Sequence, residues 1–154
     1  MMMKRLVMAL VSLGTAVGIL LGGTHVANAS PSYDQEVAAT ARNLIGSPFK
    51  WGGTTPKGFD ASGYTQYVYK HSAVKMSLPR TSADQYKTGT AIKKENLKQG
   101  DLVFFKTDGK KVSFSGIYLG KNQFVGATSK GVRIQSLTTK YWKDAYAGAK
   151  RVLK

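Results

Sequence analysis

Residues 51–64, which read WGGTTPKGFDASGY, decide how this 154-residue chain is interpreted. Glycines and a proline make residues 52–58 a loop, and Asp60 is a favourable N-cap for a helix covering roughly Ala61–His71. Ala61 would then occupy the first position of that helix. The whole chain contains no cysteine, which excludes disulfides, thiol catalysis and zinc–thiolate sites.

Two further helices are predicted around this stretch. Ser32 followed by Gln35 resembles a capping box, and Gly46 and Pro48 would end the helix that it begins. A short third helix is predicted around 82–87. The apolar residues that recur at helical spacing in the first helix are Val37, Ala38, Ala41, Leu44 and Ile45.

From Lys98 onward the sequence is typical of strands. Compact or alternating apolar segments predict strands at 101–105, 112–119, 123–127, 132–137 and 146–153. A Gly120-Lys121-Asn122 turn separates the second strand from the third. Helices followed by antiparallel strands indicate an α+β fold, with N-terminal helices packed on a central antiparallel sheet.

The first 29 residues have the pattern of a secretory signal peptide. Lys4 and Arg5 precede an apolar run, and Ala27-Asn28-Ala29 supplies a small-x-small cleavage site. A membrane anchor is the alternative, but the run is shorter than the ~20 residues that a span needs. We therefore expect a signal at 1–29, one domain at 30–154 without a transmembrane segment, and a secreted, extracellular or cell-wall-associated protein.

The chain is strongly basic. Two of its 23 basic residues and none of its eight acidic residues lie in the first 29 positions, which leaves a net charge of +13. Outside a cell, this charge favours anionic partners such as teichoic acids, anionic lipid headgroups or other polyanions. The alternative is that the lysines only keep the protein soluble. The pattern predicts no specific nucleic-acid site.

Several segments together resemble the NlpC-type, papain-like and CHAP-related cell-wall peptidases, whose nucleophile motif is Phe-Asp-Cys-Ser-Gly. The matching segments are WGGTTPKGFDASGY at 51–64, LPRTS at 78–82, GDLVFF at 100–105, GIYLG at 116–120 and GVR at 131–133. The resemblance implies a papain-like fold over nearly all of residues 30–154. It also implies a family activity on peptidoglycan stem peptides, between D-glutamate and diaminopimelate, without a cofactor.

The same resemblance places the family's three catalytic positions at residues that lack catalytic groups. The cysteine position is Ala61, the histidine position is Phe114, and the position that orients the histidine is Gly126. A single cysteine-to-alanine change is also a common laboratory step, but three replacements favour natural loss of activity. We therefore expect a pseudoenzyme with no metal and no cofactor.

The resemblance also implies binding residues. Asp60 and Ser62 would hold the free N-terminal amine of a stem peptide; the alternative is that Asp60 is only an N-cap and Ser62 only a first-turn residue. Trp51 would form a wall of the cleft or pack beneath the loop. Arg80 would join loops or meet a carboxylate.

Two other functions stay open at this point. The first is an active wall hydrolase with a serine nucleophile at Ser62 or Ser115, although a serine needs an adjacent base and His71 lies at the far end of its helix. The second is a secreted cationic protein that inhibits active wall hydrolases or acts as a toxin. The expected ligands of the leading hypothesis are peptidoglycan stem peptides or anionic wall polymers.

Overall fold

A computed structural model of the chain describes residues 29–154, and the remaining positions of the predicted signal peptide lie outside the described residues. The signal peptide therefore stays a prediction. Residues Pro31–Lys154 form a compact unit. Within the described range, no helix combines the length and the apolar character needed to cross a membrane.

The two long helices begin where their caps predict. Helix α1 covers Tyr33–Asn43, and the Ser32 amide donates to the Gln35 side chain at 3.1 Å. Helix α2 covers Ala61–His71, and the Asp60 carboxylate accepts from the Gly63 amide at 2.7 Å. These bonds satisfy amides that a helix N-terminus leaves without partners.

A two-stranded hairpin, β1 (Thr54–Thr55) and β2 (Gly58–Phe59), precedes α2. Short helices are α3 (Ser82–Gln85) and α4 (Lys140–Ala145), with a 3₁₀ turn at Lys94–Asn96. The main strands are β3 (Thr90–Ile92), β4 (Leu102–Phe105), β5 (Phe114–Gly120), β6 (Gln123–Thr128), β7 (Gly131–Ser136) and β8 (Tyr146–Arg151). They form one antiparallel sheet in the order β3-β8-β4-β5-β6-β7.

Alternation along the strands creates two apolar clusters. One cluster packs α1 and α2 on the sheet, with Leu102, Phe104 and Ile117 fully buried. The next residues along the strands, such as Val103 and Phe105, belong to a second cluster that includes α4. Because side chains alternate between faces of a strand, helices cover both faces of the sheet. The α+β prediction is confirmed.

The structure departs from the predicted elements in four places. Ile45 lies beyond the end of α1 and is exposed, so it does not belong to the helix's apolar face. The segment predicted as a loop at 52–58 contains the hairpin of β1 and β2. The sequence predicts neither strand β3 nor helix α4, because they are only three and six residues long. The turn after β5 is as predicted, and Lys121 and Asn122 adopt φ values of 52° and 59°.

One ion pair joins the ends of two neighbouring strands. Asp101, only 2% exposed, precedes β4 and accepts from Arg151 Nε and Nη2 of β8, both at 2.8 Å. The Lys98 amide donates to the same carboxylate at 2.8 Å. Loss of the guanidinium would leave a buried carboxylate without its counter-ion.

We expect Arg151→Met to lower the free energy of unfolding by about 2 kcal/mol, because removing one partner of a buried pair strands the other charge. Urea denaturation measures this change. Lys140→Met is the matched control: its pair with Asp144 is exposed and should contribute less than about 0.5 kcal/mol. Equal effects of the two substitutions would contradict the assignment.

Candidate functional site

A cleft of about 670 Å³ opens at the N-terminus of α2. Its lining comes from the loop before α2, the start of α3, the loop between β4 and β5, the end of β6, and α4. The lining residues are Phe49, Trp51, Asp60, Ala61, Ser62, Thr81, Ser82, Ala83, Thr107, Lys111, Val112, Ser113, Phe114, Ala127, Thr128, Ser129, Tyr141 and Trp142. Most of the predicted site residues therefore meet at one place.

Ala61 is the first residue of α2 and lines the cleft, 8% exposed. The helix dipole favours a negative group at this position, and a thiolate here would be stabilised. The Ala61 methyl offers no such group, and it packs in the second apolar cluster together with Phe114.

Phe114 begins β5 and fills the floor of the cleft with an aromatic ring. Its ring centroid lies 4.9 Å from that of Trp142 and 5.9 Å from that of Phe105. The ring is 7% exposed and part of a network of edge and tilted aromatic contacts. Position 114 therefore carries an aromatic ring and no proton acceptor, and it makes the floor of the cleft apolar.

Gly126 lies on β6, beside β5. A Cβ added there would lie 2.8 Å from Phe114 Cζ and 2.9 Å from Phe114 Cε1, closer than side-chain carbons approach. The space for a side chain at position 126 is thus already occupied by the Phe114 ring. The two replacements are sterically coupled, which the sequence alone did not indicate.

A hydrogen-bonded polar group lies at the N-terminus of α2 and consists of Asp60, Ser62 and Arg80. Arg80 Nη2 lies 2.7 Å from Asp60 Oδ2, and Arg80 Nη1 donates to Asp60 Oδ1 at 3.0 Å and to Ser62 Oγ at 2.9 Å. The hydrogen bond to Asp60 raises the pKa of Arg80. Arg80 therefore joins the segment before α3 to the start of α2, and Asp60 is both an N-cap and an ion-pair partner.

Within the described residues, neither of the two serines considered as nucleophiles bonds to a histidine. Ser62 Oγ accepts from Arg80 and donates to Asp60 Oδ1 at 3.4 Å, but that carboxylate is already paired with the Arg80 guanidinium. Ser115 is fully buried, where it donates to Gln85 Oε1 at 3.0 Å and contacts Ser82 Oγ at 3.0 Å. Within the described residues, the partners of Ser115 are hydroxyl and amide groups. His71 lies exposed at the end of α2, stacked on the Tyr67 ring at 3.8 Å.

The structure separates the two roles considered for Trp51, a wall of the cleft and packing beneath the loop. The Trp51 side chain is 89% exposed and lines the cleft, so it forms a wall and does not pack beneath the loop. Sequence reasoning missed Tyr141 and Trp142. Both lie on the unpredicted α4, and their adjacent positions as aromatic residues were the available signal. Residues 29–154 contain no cluster of His, Asp and Glu able to hold a metal ion.

We expect Gly126→Ala to lower the free energy of unfolding by about 1–3 kcal/mol, because the added methyl must displace a buried ring. In a Phe114→Ala background the same substitution should cost little, since the obstructing ring is gone. A double-mutant cycle from urea denaturation isolates the coupling between the two positions. An unchanged cost in both backgrounds would show that the ring moves aside freely.

Comparisons with known proteins agree with this geometry. The model of the NlpC/P60 family matches residues 46–151. Gamma-DL-glutamyl hydrolase of Bacillus subtilis is 46% identical over 122 residues, which cover 75% of this chain and 29% of that protein. The chain thus spans less than a third of that relative's length.

Solved structures show the same fold. An NlpC/P60 family protein from Bacillus cereus aligns with a TM-score of 0.73 at 36% identity, covering 81% of this chain and 41% of that one. RipD from Mycobacterium tuberculosis, described as a non-catalytic NlpC/p60 domain protein adapted to peptidoglycan binding, aligns at 0.68 and 27% identity. That alignment covers 80% of this chain and all of RipD. This chain belongs to the NlpC/P60 family.

Proposed function

We propose that this protein is a secreted, non-catalytic NlpC/P60 domain that acts by binding cell-wall material. The observation that carries the proposal is an open cleft of about 670 Å³ at the three catalytic positions, which hold a methyl group, a packed aromatic ring and a glycine whose side-chain space the ring occupies. Catalysis of amide cleavage in this family would need a nucleophile and a base. The three positions supply neither.

The ligand class follows from the family and the charge. Peptidoglycan stem peptides and anionic wall polymers are the two candidates, and the net charge of +13 after residue 29 favours a polyanionic surface. The non-catalytic description of RipD supports the idea that this fold can serve binding alone. An active wall hydrolase as a protein partner is the remaining alternative.

Experiments with purified wall sacculi test both parts of the proposal, which are binding to the cell wall and lack of catalysis. We expect the protein to sediment with the sacculi and to release no soluble muropeptides across a range of pH, as measured by chromatography of the supernatant. The sedimentation is repeated with walls stripped of teichoic acid to separate peptidoglycan from polyanion binding. Muropeptide release, or labelling of Ser62 by a serine-reactive probe, would identify an active hydrolase. Failure to sediment would direct the search to a protein partner.

The identity of the three catalytic positions also predicts which substitutions would restore activity. We expect Ala61→Cys alone to be inactive, because a thiol without its base does little, and Ala61→Cys/Phe114→His/Gly126→His together to release dipeptide from a free-amine stem peptide. Replacing both 114 and 126 removes the steric conflict between them. The matched control is Ala61→Ser/Phe114→His/Gly126→His, which should be far slower. Cleavage by the single Ala61→Cys variant would mean that an unrecognised base lies in the cleft.

A further inference from the structure

Several exposed aromatic side chains surround the cleft. Trp51 is 89% exposed, Tyr141 57% and Phe49 38%, and all three line the cleft. The exposed large apolar side chains of the described chain are Tyr33, Ile45, Phe49, Trp51, Ile134 and Tyr141. Half of them therefore surround one opening. Clustered exposed apolar groups mark a binding surface, whereas scattered ones do not.

Flat aromatic rings beside hydroxyl groups suit a saccharide. The ring faces of Trp51 and Tyr141 can stack on the C–H face of a pyranose, and each ring orders few side-chain torsions when it does so. Hydroxyl-bearing residues stand around the same opening, namely Thr81, Thr107, Ser113, Thr128 and Ser129. The first four already bond within the protein, but a hydroxyl can donate once and accept twice, so each keeps hydrogen-bonding capacity for a sugar hydroxyl.

The free charge of the cleft is positive. Lys111 lines the cleft and forms no ion pair among the described residues. Its loop is held in place because Asp108 Oδ1 accepts from the Lys110 and Lys111 amides at 2.8 and 3.0 Å, bonds that lower the pKa of Asp108. Thr107 Oγ1 and Ser113 Oγ, 2.6 Å apart, close the base of this loop.

The carboxylate of the cleft is already bound by groups of the protein itself. Asp60 Oδ2 accepts from Arg80, and Asp60 Oδ1 accepts from Arg80, from the Gly63 amide and from Ser62 Oγ. A ligand ammonium group would share this carboxylate with a bidentate guanidinium. The charge of the cleft without an ion-pair partner, at Lys111, therefore favours an anionic group on the ligand.

We propose that the cleft binds a glycan strand from which the stem peptides have been removed, with its sugar rings on Trp51 and Tyr141 and a carboxylate near Lys111. Hydrolysis of the amide between glycan and peptide is the class of reaction that would supply this ligand, since it frees the lactyl carboxylate of each muramyl residue. This inference rests on the wall-binding function proposed above and names its ligand.

Isothermal titration compares three probes: peptide-free glycan strands, neutral chito-oligosaccharides of similar length, and a free stem peptide. We expect the peptide-free strands to bind most tightly. Trp51→Ala and Tyr141→Ala should each weaken that binding about tenfold, as loss of an aromatic anchor does. Lys111→Met should weaken it about two- to fivefold, as loss of an exposed charge pair does, and should abolish the preference over the neutral oligosaccharide.

Matched controls lie outside the cleft. Tyr33→Ala removes an exposed aromatic from the start of α1, and Lys143→Met removes an exposed charge from α4, so both should bind as the parent does. Circular dichroism and Tm confirm folding, which Trp51→Ala should preserve because its side chain is exposed.

The outcomes separate the two proposals. Sedimentation with sacculi, combined with tight binding of the stem peptide or an unchanged affinity of Trp51→Ala for the strands, overturns the glycan inference and leaves wall binding in place. Absence of sedimentation with sacculi overturns wall binding itself. Strand binding that weakens in Trp51→Ala and Tyr141→Ala, and not in Tyr33→Ala, supports the inference.

Discussion

The bidentate pair between Asp60 and Arg80 fixes the point where α2 begins, and the cleft is built around that point. Asp60 also caps Gly63, so one carboxylate joins the segment before α3 to the first turn of the helix. The glycine loop then lies directly on that turn, since a Cβ at Gly63 would stand 2.0 Å from the Gly53 carbonyl oxygen. This arrangement depends on side-chain geometry and on close backbone contact, and it needs no catalytic group.

Much of this fold was accessible from the sequence, because the signals for its main elements are local. Caps at Ser32 and Asp60 gave the starts of α1 and α2, and alternating apolar residues gave the strands β4 to β8. Strand β3 and helix α4 carry no such periodicity, being three and six residues long. Pairing with β8 and packing on the aromatic cluster define them, and neither contact is visible in a linear pattern.

The sequence indicated which residues belong to the candidate site but not how they contact one another. Positions 61, 114 and 126 follow from the segments that match the family. The contact between Phe114 and Gly126 joins residues on neighbouring strands and appears only once the register of β5 and β6 is set. Likewise, a tryptophan just before a loop is equally consistent with burial, and only the folded structure places Trp51 at the rim of the cleft. Long-range packing and exposure are properties of the folded chain.

The contact between Phe114 and Gly126 makes the residues at these two positions hard to replace one at a time. Alanine at 61 leaves its helix start intact, so that position can revert in a single step without disturbing its neighbours. A side chain at 126 meets the Phe114 ring, and shortening Phe114 first opens a void beside Trp142. Reversal one residue at a time must therefore pass through a less stable intermediate. Under the proposed binding function, filling this space stabilises the non-catalytic form in evolution, because a catalytic pair at positions 114 and 126 would require both residues to change together.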